Sequence, residues 1–401
     1  MDKSIFKNKN FILLFVGQGI SYLGDAVFEI ALMWYLLQTT GSSLLMGSVM
    51  IFFMVPNLVT KIFSGVLIDR VSRRKIMFLS NLLSGFLLFI SAILFLLGLF
   101  TIPVIFFISA LLGFISAFFE PSQSSIIPSI LTKDQLIKGN SILQLVFRLS
   151  FLIGPAISGL IMAKFGMLSL IIFDAISFFI GAFCIYFIRL EEKLVSQVEG
   201  LNLKVWFQEF KEGINFIIKT KVILYLIIAL AWINFFFSPV GILLAPFVKK
   251  ILGKSVMDFG FLNSAVSVGT LVGFVYLSIA KVKRKGFYIL MGFLGAGVSV
   301  FFLGLFKNMT MIYSSIITAG VFVAFVNSPI ISLMQELTEE RMRGRLFSTM
   351  SIVTGSLAPL SIGIFTSIAD KIPVDRLFSF LGLMVTLISI SLFFVKEIRR
   401  A

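Results

Sequence analysis

The sequence predicts an all-α polytopic membrane protein with twelve transmembrane helices, and three observations lead there. First, the 401 residues are 58% hydrophobic and only 13% charged, with a mean hydropathy of +1.06. A soluble chain of this length could not bury that much apolar surface. Second, runs long enough to cross a bilayer, about 20 apolar residues each, recur at 11–38, 44–67, 76–98, 101–119, 139–163, 166–188, 222–247, 257–280, 287–306, 310–333, 346–369 and 374–395. Third, the 34 Lys and Arg are unevenly placed. With the N-terminus inside, only Lys164, Lys249, Lys250, Lys254, Lys307, Lys371 and Arg376 fall in outer segments, and Lys61 and Arg148 lie within spans. That bias is the positive-inside rule, and it accounts for the net charge of +15 without any nucleic acid. An even number of spans puts both termini in the cytoplasm.

Several classes of chemistry are excluded. The chain has no histidine and one cysteine, Cys184, so it has no intramolecular disulfide, no Cys/His metal cluster and no Ser-His-Asp constellation. With no Walker motif and no cofactor or metal expected, the chain reads as something other than an enzyme. Met1 to Asn10 carries three lysines, but the apolar run after it is too long for a signal peptide, so a retained first helix is expected. Abundant Phe, Ile and Lys suggest a bacterium with an AT-rich genome, and hence the bacterial cytoplasmic membrane.

The first span holds Gln18 and two carboxylates, Asp25 and Glu29, four residues apart and therefore on one helix face. Two neighbouring carboxylates in a low dielectric resist ionising together, which suits them to carry a proton. The second span adds Asn57 and, near its inner end, Lys61. The loop that follows, GVLIDRVSRRK from Gly65 to Lys75, carries five charges and cannot enter hydrocarbon. It resembles the G-x-L-a-D-r-x-G-r-k signature of the major facilitator superfamily, with Gly65, Leu67, Asp69, Arg70, Arg73 and Arg74 in register and Ser72 where the family has glycine.

The fifth span supplies Gln144 and Arg148, a counter-charge for Glu29, Asp25 or Asp174 of the sixth span; the sequence leaves the choice open. Beyond it, LIGPAISG resembles the antiporter motif of facilitator exporters through Gly154, Pro155 and Gly159. Ser158 and Ser150 replace two of the motif's glycines. The resemblance implies a seal against leak.

Residues 189–221 form the one long connection, dividing the chain into bundles 1–188 and 222–401. Within it VWFQEFKEGINFII has the spacing of an amphipathic helix, expected on the inner membrane surface. The seventh span has no ionisable group before Lys249, so proton chemistry is assigned to the first half. Two echoes support parallel repeats. AFFEPSQSSIIPSI from Ala117 matches AFVNSPIISLMQEL from Ala324, and GPAISG from Gly154 matches APLSIG from Ala358.

The runs YLGDAVFEIALMWYL, FDAISFF and MQELTEERMRGRLFS are similar to the macrolide-efflux and siderophore-exporter branch of the superfamily. That resemblance implies two six-helix pseudo-repeat bundles with substrate between them. It also implies an inner gate drawn from Asp69, Arg70, Arg73, Arg74, Glu120, Glu336, Arg341 and Arg345. Gln18, Asn57, Gln144, Asn234, Asn263 and Asn327, with Trp232 and Phe236, are the candidate substrate contacts. Such sparse polar groups among 48 phenylalanines suit a bulky amphiphile. Proton-coupled export of such molecules by a monomer, its partners the lipid bilayer, the substrate and protons, is the expectation. A lysophospholipid flippase, a nutrient facilitator and a non-transporting receptor or scaffold are the alternatives.

Overall fold

The computed structural model describes residues 5–190, 203–280, 284–395 and 397–398, with the backbone alone at 62–70, 133, 203–209, 340, 341, 344 and 348. Among these residues the secondary structure is helical throughout, in thirteen α-helices. In order they are α1 (Lys9–Thr40), α2 (Ser43–Arg70), α3 (Arg73–Leu96), α4 (Ile102–Ile130), α5 (Leu136–Tyr186), α6 (Leu203–Lys219), α7 (Lys221–Pro246), α8 (Val256–Ile279), α9 (Lys285–Leu305), α10 (Met309–Glu336), α11 (Glu340–Gly355), α12 (Leu357–Ala369) and α13 (Val374–Phe393). Hydrocarbon offers no partner for a backbone amide, so only a helix satisfies its own groups there.

Among the described residues, eleven helical stretches are long and apolar enough to cross a bilayer. One of them, α5, has 51 residues and would run roughly 76 Å if straight, more than twice the hydrocarbon thickness. Gly166 interrupts it at φ 75°, ψ −177°, a conformation open to glycine. The helix therefore counts as two spans that meet at Gly166, which brings the spans among the described residues to twelve.

The ends are capped locally. Asn8 accepts from the Asn10 and Phe11 amides at the start of α1, and Gly41 closes it in the left-handed region. Ser255 and Asp258 form a capping box on α8. Ser72, the departure from the loop signature, is the N-cap of α3 and accepts from the Lys75 amide at 3.3 Å. A serine here therefore performs a structural task that glycine could not.

The chain divides into two compact units, 1–41 with 48–201, and 42–47 with 202–401. In the first, α5 packs along both α1 and α3, and α3 along α4. In the second, α9 packs against α10 and α13, α8 against α10, and α7 against α12 and α13. Of the connection 189–221, residues 189–190 and 203–221 are described. Its helix α6 packs on α11 and α7, buries Ile217 in the second unit's core, and pairs Glu212 with Arg345.

Ser42 to Gly47 joins the second unit because Asp370 holds it there. The Asp370 carboxylate accepts from the Ser42 hydroxyl (2.6 Å) and from the Ser43 (2.6 Å) and Leu44 (3.2 Å) amides, and Lys250 lies 3.4 Å away. Partial burial pushes this carboxyl up, but the hydrogen bonds outweigh it and hold the group below its ordinary value. A carboxylate so depressed adds stability that is complete above about pH 4 and is lost as pH falls through the folded-state value. In thermal melts of the purified protein, Asp370→Asn should therefore flatten the loss of Tm between pH 6 and pH 3. An equally steep loss in the variant would assign the acid sensitivity elsewhere.

Candidate functional site

A cavity of about 680 Å³ opens wholly within the first unit, lined by α1, α2, α3, α4 and both segments of α5. Its α1 wall is a single stripe, Gln18, Ser21, Tyr22, Asp25, Phe28, Glu29 and Leu32, at the three- and four-residue spacing of one helix face. Asp25 and Glu29 are half-buried in that wall. Asp174, 1% exposed, joins them from the second segment of α5 and accepts a hydrogen bond from the Ser177 hydroxyl at 3.0 Å. Three carboxylates thus converge on one chamber.

Small residues make that convergence possible. A Cβ on Gly24 would overlap the Asp174 carboxylate and the Ser177 hydroxyl, so only glycine lets Asp174 reach α1 beside Asp25. On the other side, Gly154 faces Ala26, to which an added Cβ would stand 2.6 Å away. Both serine departures from the antiporter motif bond to α1, Ser158 to the Val27 carbonyl at 2.6 Å and Ser150 to that of Gly19 at 3.5 Å. With Pro155 and Gly159 also buried, the motif seats α5 flush against the carboxylate-bearing helix. Gly154→Val should force α1 and α5 apart and lower Tm by several degrees, as overpacking in a close-packed interface does. An unchanged melt would mean the interface is loose.

The remaining polar wall includes Asn57, which donates to the Gly113 carbonyl (3.1 Å) and the Ser116 hydroxyl (2.8 Å). Tyr22 donates to Gln123 at 2.9 Å, and Lys61 pairs with Glu120 at 2.6 Å, all four lining the cavity. The apolar wall is Phe28, Leu32, Met33, Val49, Phe53, Phe119, Phe147, Phe151 and Phe178 among others. The chamber thus sets acidic groups among aromatic rings.

Of the expected substrate contacts, Gln18, Asn57 and Gln144 line this cavity. Trp232, Asn234, Phe236, Asn263 and Asn327 belong to the second unit and are absent from its lining. Asn234 donates to the Thr354 carbonyl at 3.4 Å and Asn263 to the carbonyl of Phe259 in its own helix, while Phe236 packs with Trp232, Phe365 and Phe380. Arg148 is exposed on α5 and does not line the chamber, although Phe147 and Phe151 on either side of it do. The expected counter-charge is thus absent from the cavity lining, one residue and roughly 100° of helix rotation beyond Phe147.

Each expected gate residue with a described side chain has a partner inside its own unit. Arg73 donates to the Ser125 carbonyl at 3.3 Å and Arg74 to that of Ile188 at 2.7 Å. Glu336 pairs with Lys285 and Arg345 with Glu212. The side chains of Gly65, Asp69, Arg70 and Arg341 lie outside those described. Ser80, Asn81, Ser84 and Gln123 line the cavity without having been expected. Ser80, Asn81 and Ser84 share the segment FLSNLLSG of the third span, whereas Gln123 stands in the fourth.

The family model of the Major Facilitator Superfamily matches residues 14–362. Macrolide efflux protein A of Streptococcus pyogenes is 23% identical over 97% of this chain and 96% of its own. Multidrug efflux pump Tap of Mycolicibacterium fortuitum is 24% identical over 94% of this chain and 93% of its own. Among solved structures, a bacterial homologue of the iron transporter ferroportin in an inward-facing state superposes with a TM-score of 0.72, 17% identity, 97% coverage of this chain and 99% of that one. The fold, the helix count and the resemblance carried by the Gly65 loop and the macrolide-efflux segments agree: the chain is a multi-pass membrane transporter that belongs to the Major Facilitator Superfamily.

Proposed function

We propose that this transporter exports amphiphilic cations, macrolide-like drugs among them, from the bacterial cytoplasm in exchange for protons. The observation that carries this reading is the convergence of Asp25, Glu29 and Asp174 on one aromatic cavity. The efflux names of the two relatives support the substrate class. In this scheme a proton and the substrate's positive charge compete for the same carboxylates. Substrate arriving from the cytoplasm displaces a proton, and a proton entering from outside displaces the substrate, so one site serves both halves of an alternating-access cycle. Exchange at the carboxylates themselves needs no partner for Arg148. The protein works as a monomer with both termini in the cytoplasm, and the closely packed Gly154 to Gly159 segment limits leak beside the carboxylates.

The test is uptake in cells. Cells producing the protein should accumulate less radiolabelled erythromycin than cells without it, and an uncoupler that collapses the proton gradient should erase the difference. A difference that survives the uncoupler would sink proton coupling; no difference at all would sink the substrate class.

A further inference from the structure

Two neutral amides of the cavity wall, Gln18 and Asn81, carry polar atoms without partners. Gln18 is wholly buried in the wall, yet neither its amide nitrogen nor its oxygen has a hydrogen-bond partner, and the amide nitrogen of Asn81, 2% exposed, has none either. Both residues line the same cavity as the carboxylates. Burying an amide without partners is costly, and two such amides in one wall are unusual, because buried polar groups are almost always satisfied.

The helices around Asn81 meet closely. A Cβ on Gly181 would stand 2.5 Å from the Asn81 amide nitrogen and 2.6 Å from the Ser21 hydroxyl, so α1, α3 and the second segment of α5 meet there at glycine distance. Ser21 sits one turn beyond Gln18 on the same face of α1, and its hydroxyl reaches back to the Ser177 carbonyl at 3.4 Å. The donors of Gln18 and Asn81 and the Gln18 carbonyl have no protein partner, and both side chains border the chamber, so a small rotation brings them to a molecule that enters it. Gln18 precedes Asp25 by two helical turns, about 10 Å along α1.

From this we infer that Gln18 and Asn81 form a neutral hydrogen-bonding subsite that receives a carbonyl or hydroxyl of the transported molecule, about 10 Å along α1 from the carboxylates that receive its cationic centre. The inference rests on the functional reading above and narrows it. Preferred substrates carry an amine at one end and an ester, lactone, amide or hydroxyl at the other. A bulky cation lacking such groups leaves the two amides unpaired and binds less tightly for its size.

Equilibrium binding to the purified full-length protein tests it, with two probes. Erythromycin has a tertiary amine plus lactone carbonyl and hydroxyls, whereas tetraphenylphosphonium is a bulky cation without hydrogen-bonding groups. In Gln18→Leu, and separately in Asn81→Ala, the ratio of the two dissociation constants should shift about tenfold against erythromycin. Because the Gln18 amide is unpaired, Gln18→Leu should also keep or raise the ligand-free Tm, whereas a structural amide would lower it. Equal weakening of both probes, or no weakening of either, would overturn the subsite, the latter assigning the amides to a bound water. Binding of tetraphenylphosphonium without erythromycin by the unaltered protein would overturn it as well. Failure to bind either probe would instead remove the functional reading on which it rests.

Discussion

Replacing Asp25 by Asn and Glu29 by Gln together should reduce erythromycin and dye efflux to the background of cells without the protein, while the protein remains folded in the membrane. Side chains at i and i+4 approach within about 6 Å, where two negative charges at an effective dielectric of about 20 repel by roughly 3 kcal/mol. That repulsion is relieved when a cation or proton arrives. Amide substitutions keep the shape and remove the charge, so the loss falls on transport and not on packing. Of the single variants, Asp25→Asn should be the more severe. Asp25 lies next to Gly24, the position against which Asp174 is pressed, so two of the three carboxylates act through it. Normal efflux in the double variant would show that the chamber's charge is not used for coupling.

The second large effect is on folding. Gly113→Val in α4 and Gly320→Val in α10 should each deplete folded protein from the membrane and lower Tm by ten degrees or so, the upper end of what overpacking costs. At Gly113 a Cβ would overlap the Phe53 carbonyl of α2, and at Gly320 the Val266 carbonyl of α8. These neighbours are backbone and cannot rotate aside, so the helices must separate. With lipid as apolar as the side chains, close backbone approach is the main force holding such helices together. Detergent melts and fluorescence-detected gel filtration would read the outcome; a well-folded Gly113→Val would mean that α2 and α4 can part without penalty.

The same two glycines show how much was legible in the sequence. They precede the two echoing segments, Ala117 onward and Ala324 onward, by the same four residues, and each allows the corresponding close crossing in its own half. Apolar runs, loop charge and the repeat were all readable because hydrocarbon imposes length and charge rules on the chain directly. The carboxylate chamber was half readable. Asp25, Glu29, Asp174, Gln18, Asn57 and Gln144 stood out as polar groups in oil, and all line one cavity. Arg148 stood out for the same reason but is absent from that lining, since spacing along one helix does not tell which face meets which neighbour. Asn234 and Asn263 were equally conspicuous and instead satisfy backbone carbonyls. Asn81 and Gln123 went unread because a single amide in a span carries no motif, only a position that packing reveals.

Competition of proton and substrate for the same carboxylates is tested most directly by proton release on binding. Adding tetraphenylphosphonium to the purified protein in weakly buffered solution near neutral pH should release about one proton per bound ligand, and none in Asp25→Asn combined with Glu29→Gln. Tight binding with no proton released, or the same release from the double variant, would contradict it.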